Sequence, residues 1–210
     1  MNIFLILILL LFIFFLVYFF NFYRYFQLKY NSNLPGYIKK YTTMKINRPK
    51  SFNSKIIVSI SCKPKNVHKM ESLLASLLDQ TTKIDQIALN IPDSKKYQIK
   101  KICEDVVNVY NCGNDYGIEN NIIPTLLREG DYGTIIICLD ENVIYGKDFL
   151  ERLINTSMEN NNCAIIFNEG MLVKPEFFNK DLLYADKISN VKKFLKSRVI
   201  NFEYYENYKI

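Results

Sequence analysis

Tryptophan is absent from the chain and histidine occurs once, at His68. That imidazole falls one residue off the apolar face of a helical pattern, so it reads as a surface residue and not as a base. The five cysteines, Cys62, Cys103, Cys112, Cys138 and Cys163, are odd in number and lack metal-ligand spacing, which argues against a zinc module or a disulfide framework. Neither G-x-G-x-x-G nor G-x-x-x-x-G-K-[ST] occurs, so the familiar glycine-rich phosphate cradles are missing. Basic residues nowhere gather with stacking aromatics, and nucleic acid is not expected as a partner. No internal repeat is present. Charge is missing altogether before Arg24, and so are the basic start and small-residue cut site of a cleaved leader.

What stands in place of that charge is an apolar run, Ile3 to Phe20, closed by Asn21, Phe22 and Tyr23. At about 1.5 Å per residue it has the length needed to cross a hydrocarbon core of roughly 30 Å, with aromatics suited to the interface. Residues 1–23 are therefore expected to form a single retained transmembrane anchor, meeting the membrane through residues 3–22. Residues 24–54, with Pro35-Gly36 and Pro49 as breakers, read as a basic, irregular stalk, and 55–210 as the main domain. Arg24, Lys29, Lys39, Lys40, Lys45, Arg48 and Lys50 flank the span, and the positive-inside rule then places the main domain in the cytosol. The net charge of +6 lies partly in this flank and partly in Lys187 to Arg198, as attraction to anionic lipid would have it.

Beyond Ser54 the apolar pattern alternates between short runs and helical spacing. Lys55 to Ser61, Gln86 to Ile91, Val106 to Tyr110, Thr134 to Leu139 and Ala164 to Phe167 read as strands, with Met171 to Val173 a shorter one. Helices are expected over Val67–Asp79, within Ser94–Asp105, over Ile122–Arg128 and over Lys147–Glu159, with a turn of helix at Phe177–Tyr184 and a basic helix at Val191–Val199. Strands alternating with helices predict an α/β domain with a largely parallel sheet and right-handed crossovers.

The most informative stretch is Tyr132 to Tyr145, YGTIIICLDENVIY. A strand buried on both faces ends abruptly in Asp140, Glu141 and Asn142. Acids at the carboxyl end of such a strand sit where open α/β sheets bind ligands, and hard oxygens suit a divalent cation that holds phosphates. Cys138, inside the strand, reads as a small core residue.

Three segments together resemble a GT-A glycosyltransferase, of the divergent kind found in bacteria and large DNA viruses. They are IIVSISCKP at Ile56 to Pro64 with the helix that ends SLLDQT, DYGIENNIIPTLL at Asp115 to Leu127, and TIIICLDENVIY at Thr134 to Tyr145. The last two are similar to that family's DYGPATKLIPTLL and TIIITVDDDVIY. The resemblance covers roughly Lys55 to Ile154. It implies a GT-A, Rossmann-like, mostly parallel sheet flanked by helices and preceded by the transmembrane helix. It also implies a nucleotide-sugar donor, a glycan, protein or lipid acceptor, and manganese or magnesium at a D-x-D turn. By the resemblance, Ser59, Ser61, Asp115, Asp140 and Glu141 face the nucleotide sugar, and Asp140 and Asn142 hold the metal. Glu169, Asp181 and Asp186 are the candidates for a catalytic base.

The departures are as specific as the matches. Asn142, a neutral donor, stands where the family has its third acid, and a hard ion loses an anionic oxygen there. Ile118, Glu119, Asn120 and Asn121 replace the family's proline, alanine, threonine and lysine, and Lys65 is left as the nearest cation after the first strand. Two readings follow: a membrane-anchored glycosyltransferase, or a catalytically degenerate relative that serves as a tethered binding or scaffold module.

Overall fold

The computed structural model describes residues 3–30, 33–43, 54–93, 97–161, 163–168, 170–179, 191–203 and 208–209. Helix α1, Ile3–Tyr30, is continuous and is long and apolar enough to cross a membrane by length and composition. Large side chains from Ile3 to Phe20 are mostly open, whereas Leu28 is completely buried. The helix thus leaves its apolar run and packs on the domain without a break. Helix α2, Leu34–Thr43, follows and buries Leu34. Much of the expected stalk is therefore helical and docked. Its polar residues have internal partners: Arg24 Nε lies 3.1 Å from Asp79 Oδ2, and Lys40 Nζ lies 2.6 Å from Asp79 Oδ1.

Strand β1, Ile56–Ser61, opens the α/β domain and leads through a 3-10 segment, Pro64–Lys69, into α3, Met70–Leu78. Pro64 ends the extended chain, and Leu73, Leu74, Leu77 and Leu78 then bury one side of α3. Next come β2, Gln86–Ile91; α4, Lys101–Glu104; and β3, Asn108–Asn111. The longer helix expected before β3 is only this one turn. Helix α5, Ile123–Arg128, leads to β4, Ile135–Leu139, and a two-residue β5, Val143–Ile144. The chain continues through α6, Phe149–Glu159; β6, Ala164–Phe167; β7, Gly170–Val173; β8, Val199–Asn201; and β9, Tyr208–Lys209.

Seven strands form one sheet in the order β3-β2-β1-β4-β7-β6-β8, and β5 pairs with β9 apart from it. The sheet is mostly parallel, but β7 runs against both β4 and β6. The expected basic helix over Val191–Val199 is instead a 3-10 turn, Val191–Phe194, followed by β8. Val199 and Ile200 are β-branched, and pairing with Ala164 and Ile165 on the open sheet edge overrides the helical pattern of the lysines.

Alternation along the strands divides the core. Ile56, Val58, Ile60, Ile135, Ile137 and Leu139 face the layer of α1, α3 and α6, while Ile136 and Cys138 meet Ile123 and Leu126 of α5 on the other face. At about 25 cal/mol per Å² of apolar surface, burial of each such isoleucine or leucine stabilises the fold by roughly 1.5–3 kcal/mol. Strand order reverses between β1 and β4, so the crevice beyond their carboxyl ends is the topological switch point.

Candidate active site at the switch point

A cleft of about 620 Å³ lies there, with Ser61 and Cys62 from the end of β1, Leu139 to Asn142 from the end of β4, and Asp115, Gly117, Glu119, Asn120 and Asn121 from the segment after β3 among its lining residues. Ser61, Asp115, Asp140, Glu141 and Asn142 all border it. Ser59 does not. It is completely buried, its Oγ 2.7 Å from Thr125 Oγ1 and accepting from Asn90 Nδ2 at 2.9 Å. One residue, Ile60, separates Ser59 from Ser61, so both take the α5 face of β1, but Ser61 emerges where the strand ends. Glu169, Asp181 and Asp186 lie outside the described residues.

The turn after β4 is held by its own side chains. Asp140 Oδ1 accepts from the Asn142 amide N–H at 2.7 Å and from Asn142 Nδ2 at 3.0 Å. Beneath it, the Asp140 amide donates to the Tyr145 phenol oxygen at 3.0 Å, and the phenol lies 3.3 Å from the Asp140 carbonyl. Tyr145 is fully buried, its ring 4.9 Å from that of Phe149, so an immobile side chain sets the backbone that carries the acids. Across the cleft, Asp115 Oδ1 accepts from the Gly117 amide at 2.9 Å and from Asn120 Nδ2 at 2.6 Å. Gly117 sits at φ +63°, a left-handed conformation that glycine adopts without strain.

Two residues that sequence reasoning passed over complete the turn. Asn66 Nδ2 donates to Glu141 Oε1 at 2.7 Å and to Asn142 Oδ1 at 3.3 Å, and Lys69 Nζ reaches Asn142 Oδ1 at 3.4 Å. The cation at the turn is thus Lys69, while Lys65 is an exposed residue outside the cleft lining. Only the 3-10 winding of Pro64–Lys69 brings Asn66 and Lys69 to one side, and nothing in the residue pattern announces it. Tyr97 also lines the cleft. Burial, and then the neighbouring Cys62, Asp115 and Glu141, push its phenol up to about 12. Burial, and then Glu141, push the Cys62 thiol up to about 12. Both therefore stay neutral at physiological pH, and the cleft's charge is set by its acids and lysines.

The donor set suits a hard cation of the magnesium class in a limited way. Among the described residues no group of three or more His, Cys, Asp and Glu side chains gathers as a cage. Ions of this class are, however, commonly held by one or two carboxylates with substrate phosphates and water completing the shell. Asp140 and Glu141 use Oδ1 and Oε1 in the bonds above, and each carries a second carboxylate oxygen. Asn142 turns its amide oxygen toward Asn66 and Lys69, donors that compete with any metal for it.

Neither a protein-family model nor a curated protein matches the sequence. Solved structures do. The crystal structure of 4-diphosphocytidyl-2C-methyl-D-erythritol synthase from Anaerococcus prevotii superposes with a TM-score of 0.51 at 14% identity, covering 75% of this chain and 92% of that one. At that identity the likeness is one of fold alone: a mostly parallel α/β sheet flanked by helices.

Proposed function

We propose that the chain is a membrane-anchored transferase of the GT-A kind, moving a sugar from a nucleotide-sugar donor to a hydroxyl acceptor. The observation that carries this is convergence. Ser61, Asp115, Asp140, Glu141 and Asn142 come from three separate segments that each resemble one family, and all border one cleft at the switch point of the sheet. The fold likeness to a 4-diphosphocytidyl-2C-methyl-D-erythritol synthase is in keeping with a nucleotide in that cleft.

In this reading the neutral Tyr97 ring offers a face to the base, and Ser61 and Asp115 take hydroxyls of the nucleoside. Asp140 with Glu141 would hold manganese or magnesium, which when bound offsets the charge of the departing diphosphate. Lys69 adds a fixed positive charge beside the turn. The acceptor oxygen bonds to the anomeric carbon as the bond to the diphosphate breaks, and the diphosphate leaves with the electron pair. Glu169, Asp181 and Asp186 remain the candidates to receive the acceptor's proton. Residues 3–22 would anchor the protein in the membrane, with the basic flank favouring a cytosolic domain.

The test is release of nucleoside diphosphate from a panel of nucleotide sugars with manganese, for wild type and Asp140→Ala. Wild-type turnover lost in the variant supports the reading; equal turnover in both removes Asp140 from it. A second reading, transfer of a nucleotidyl group, is favoured by the synthase likeness. It would release pyrophosphate from a nucleoside triphosphate instead. Binding without either release would mark the degenerate relative that Asn142 suggests.

A further inference from the structure

The apolar run of α1 and the cleft lie at opposite ends of the sheet. Arg24 meets Asp79 just past the carboxyl end of α3, whereas the Lys29 carbonyl lies 3.5 Å from Ser72 Oγ near its amino end. Helix α1 therefore runs antiparallel to α3. Helix α3 in turn carries the chain back from the carboxyl end of β1 toward the start of β2, against the strands. It follows that α1 runs in the same sense as β1, with Arg24 level with the strand starts and Tyr30 nearer the cleft. Residues 3–22 precede Arg24 on the same unbroken helix, so they project beyond the amino-terminal edge of the sheet.

The docking is braced at that lower edge. Lys40 pairs with Asp79, the Tyr41 hydroxyl donates to the Ile84 carbonyl, and Arg24 Nη1 donates to the Tyr145 carbonyl at 3.2 Å. Tyr145 also carries the phenol that holds the Asp140 backbone. One buried residue thus joins the helix leaving the membrane to the turn that carries the acids. A swivelling domain could present its cleft to the bilayer, but one fastened in this way cannot.

We propose that the cleft opens to water on the side away from the bilayer, and that its acceptor is a saccharide presented from the aqueous phase, not one carried on a lipid of the same membrane. This rests on reading residues 3–22 as the span and the cleft as the transfer site. The six residues of β1, at about 3.3 Å each, separate the two edges by about 20 Å. A lipid-linked hydroxyl at headgroup level therefore starts from the edge opposite the cleft. The lining suits sugar rings: Phe167 and Met171 supply apolar faces beside the amides of Asn120, Asn121 and Asn168.

The experiment uses the full chain in nanodiscs, with single dye labels on Asn114→Cys and Tyr132→Cys in a Cys112→Ser background and an acceptor dye on the lipid headgroups. Asn114 is exposed beyond β3 at the cleft end, and Tyr132 is exposed before β4 at the other end. Energy transfer should place the Asn114 label farther from the lipid than the Tyr132 label by about 15–20 Å. Equal distances, or the reverse order, would overturn the proposal. In the same nanodiscs, supplied with soluble di- and trisaccharides and a polyprenyl-phosphate-linked monosaccharide, radiolabel from the donor panel should enter water-soluble saccharide. Label in the organic-extractable lipid would also overturn it. The dye distances decide the orientation whether or not any donor turns over, so loss of the transferase reading and loss of this one are told apart.

Discussion

The two ends of the sheet treat their polar groups in opposite ways. At the end that receives α1, Asp79 is buried between Arg24 and Lys40, and Gln80 donates to the Gly146 carbonyl at 2.6 Å and accepts from the Leu150 amide at 3.1 Å. There the helices and loops are stitched by groups turned inward. At the cleft end, Asp140 is exposed, and its recorded partners are the amides of its own turn. A carboxylate that closes a structural network supports the fold, whereas one held by its own loop and left facing water is available to a ligand. The same residue type thus serves stability at one end and, in the proposed function, chemistry at the other.

The sharpest way to break this contrast is to remove one aspartate from each end. Asp140→Ala should lower sugar transfer by about 100-fold or more, equivalent to about 2.7 kcal/mol of lost transition-state stabilisation, with the melting temperature unchanged. Asp79→Ala should do the opposite. It strands Arg24, whose side chain is 21% exposed, and should cost about 2 kcal/mol in urea denaturation with the affinity for nucleotide retained. If both variants lost stability equally, the division between the ends would fail.

The next change tests the turn's most distinctive residue. Asn142→Asp adds a third carboxylate to the turn and gives Lys69 a charged partner, so manganese affinity by titration calorimetry should rise about tenfold. Unchanged affinity would mean that Asn142 is not at the ion's position. Smaller still is Ser59→Ala. Loss of its bonds within the buried Ser59–Asn90–Thr125 cluster should cost about 1 kcal/mol and leave nucleotide binding within twofold.

The last effect is absent at neutral pH and develops only in alkali. Burial raises the thiols of Cys62, to about 12, and Cys103, to about 11, from the ordinary 9.0. The unfolded chain releases these protons first, so the stabilisation is fully present below pH 9 and is lost as pH rises from there through 11 and 12. The urea midpoint should fall over that window, and less steeply in Cys62→Ala/Cys103→Ala.

Much of this was legible in the sequence, for a physical reason that also marks where reading stops. Buried parallel strands write continuous apolar runs, so Ile56 to Ser61, Gln86 to Ile91 and Ile135 to Leu139 stand out, and the acids that end the last run mark the cleft. The docked helices did not stand out. Pro35 and Gly36 look like breakers, yet Pro35 lies in the first turn of α2, where its missing N–H costs nothing. Ser59 was legible as a residue but not in its role, because alternation names a face and only the packing of α5 says what covers it. Lys69 and Asn66 act through contacts with residues more than seventy positions away, and no local pattern encodes those.

The central claim is that the cleft binds the diphosphate of a nucleotide through Asp140 and a divalent ion. Thermal unfolding with nucleoside diphosphates and manganese, separately and together, tests it most directly, because a ligand held by the native state raises stability by about 2.7 kcal/mol at a hundred times its dissociation constant. Wild type should shift upward with at least one nucleoside diphosphate when the ion is present, and Asp140→Ala should not. A wild type that shifts with no combination, or a variant that shifts equally, would contradict the account.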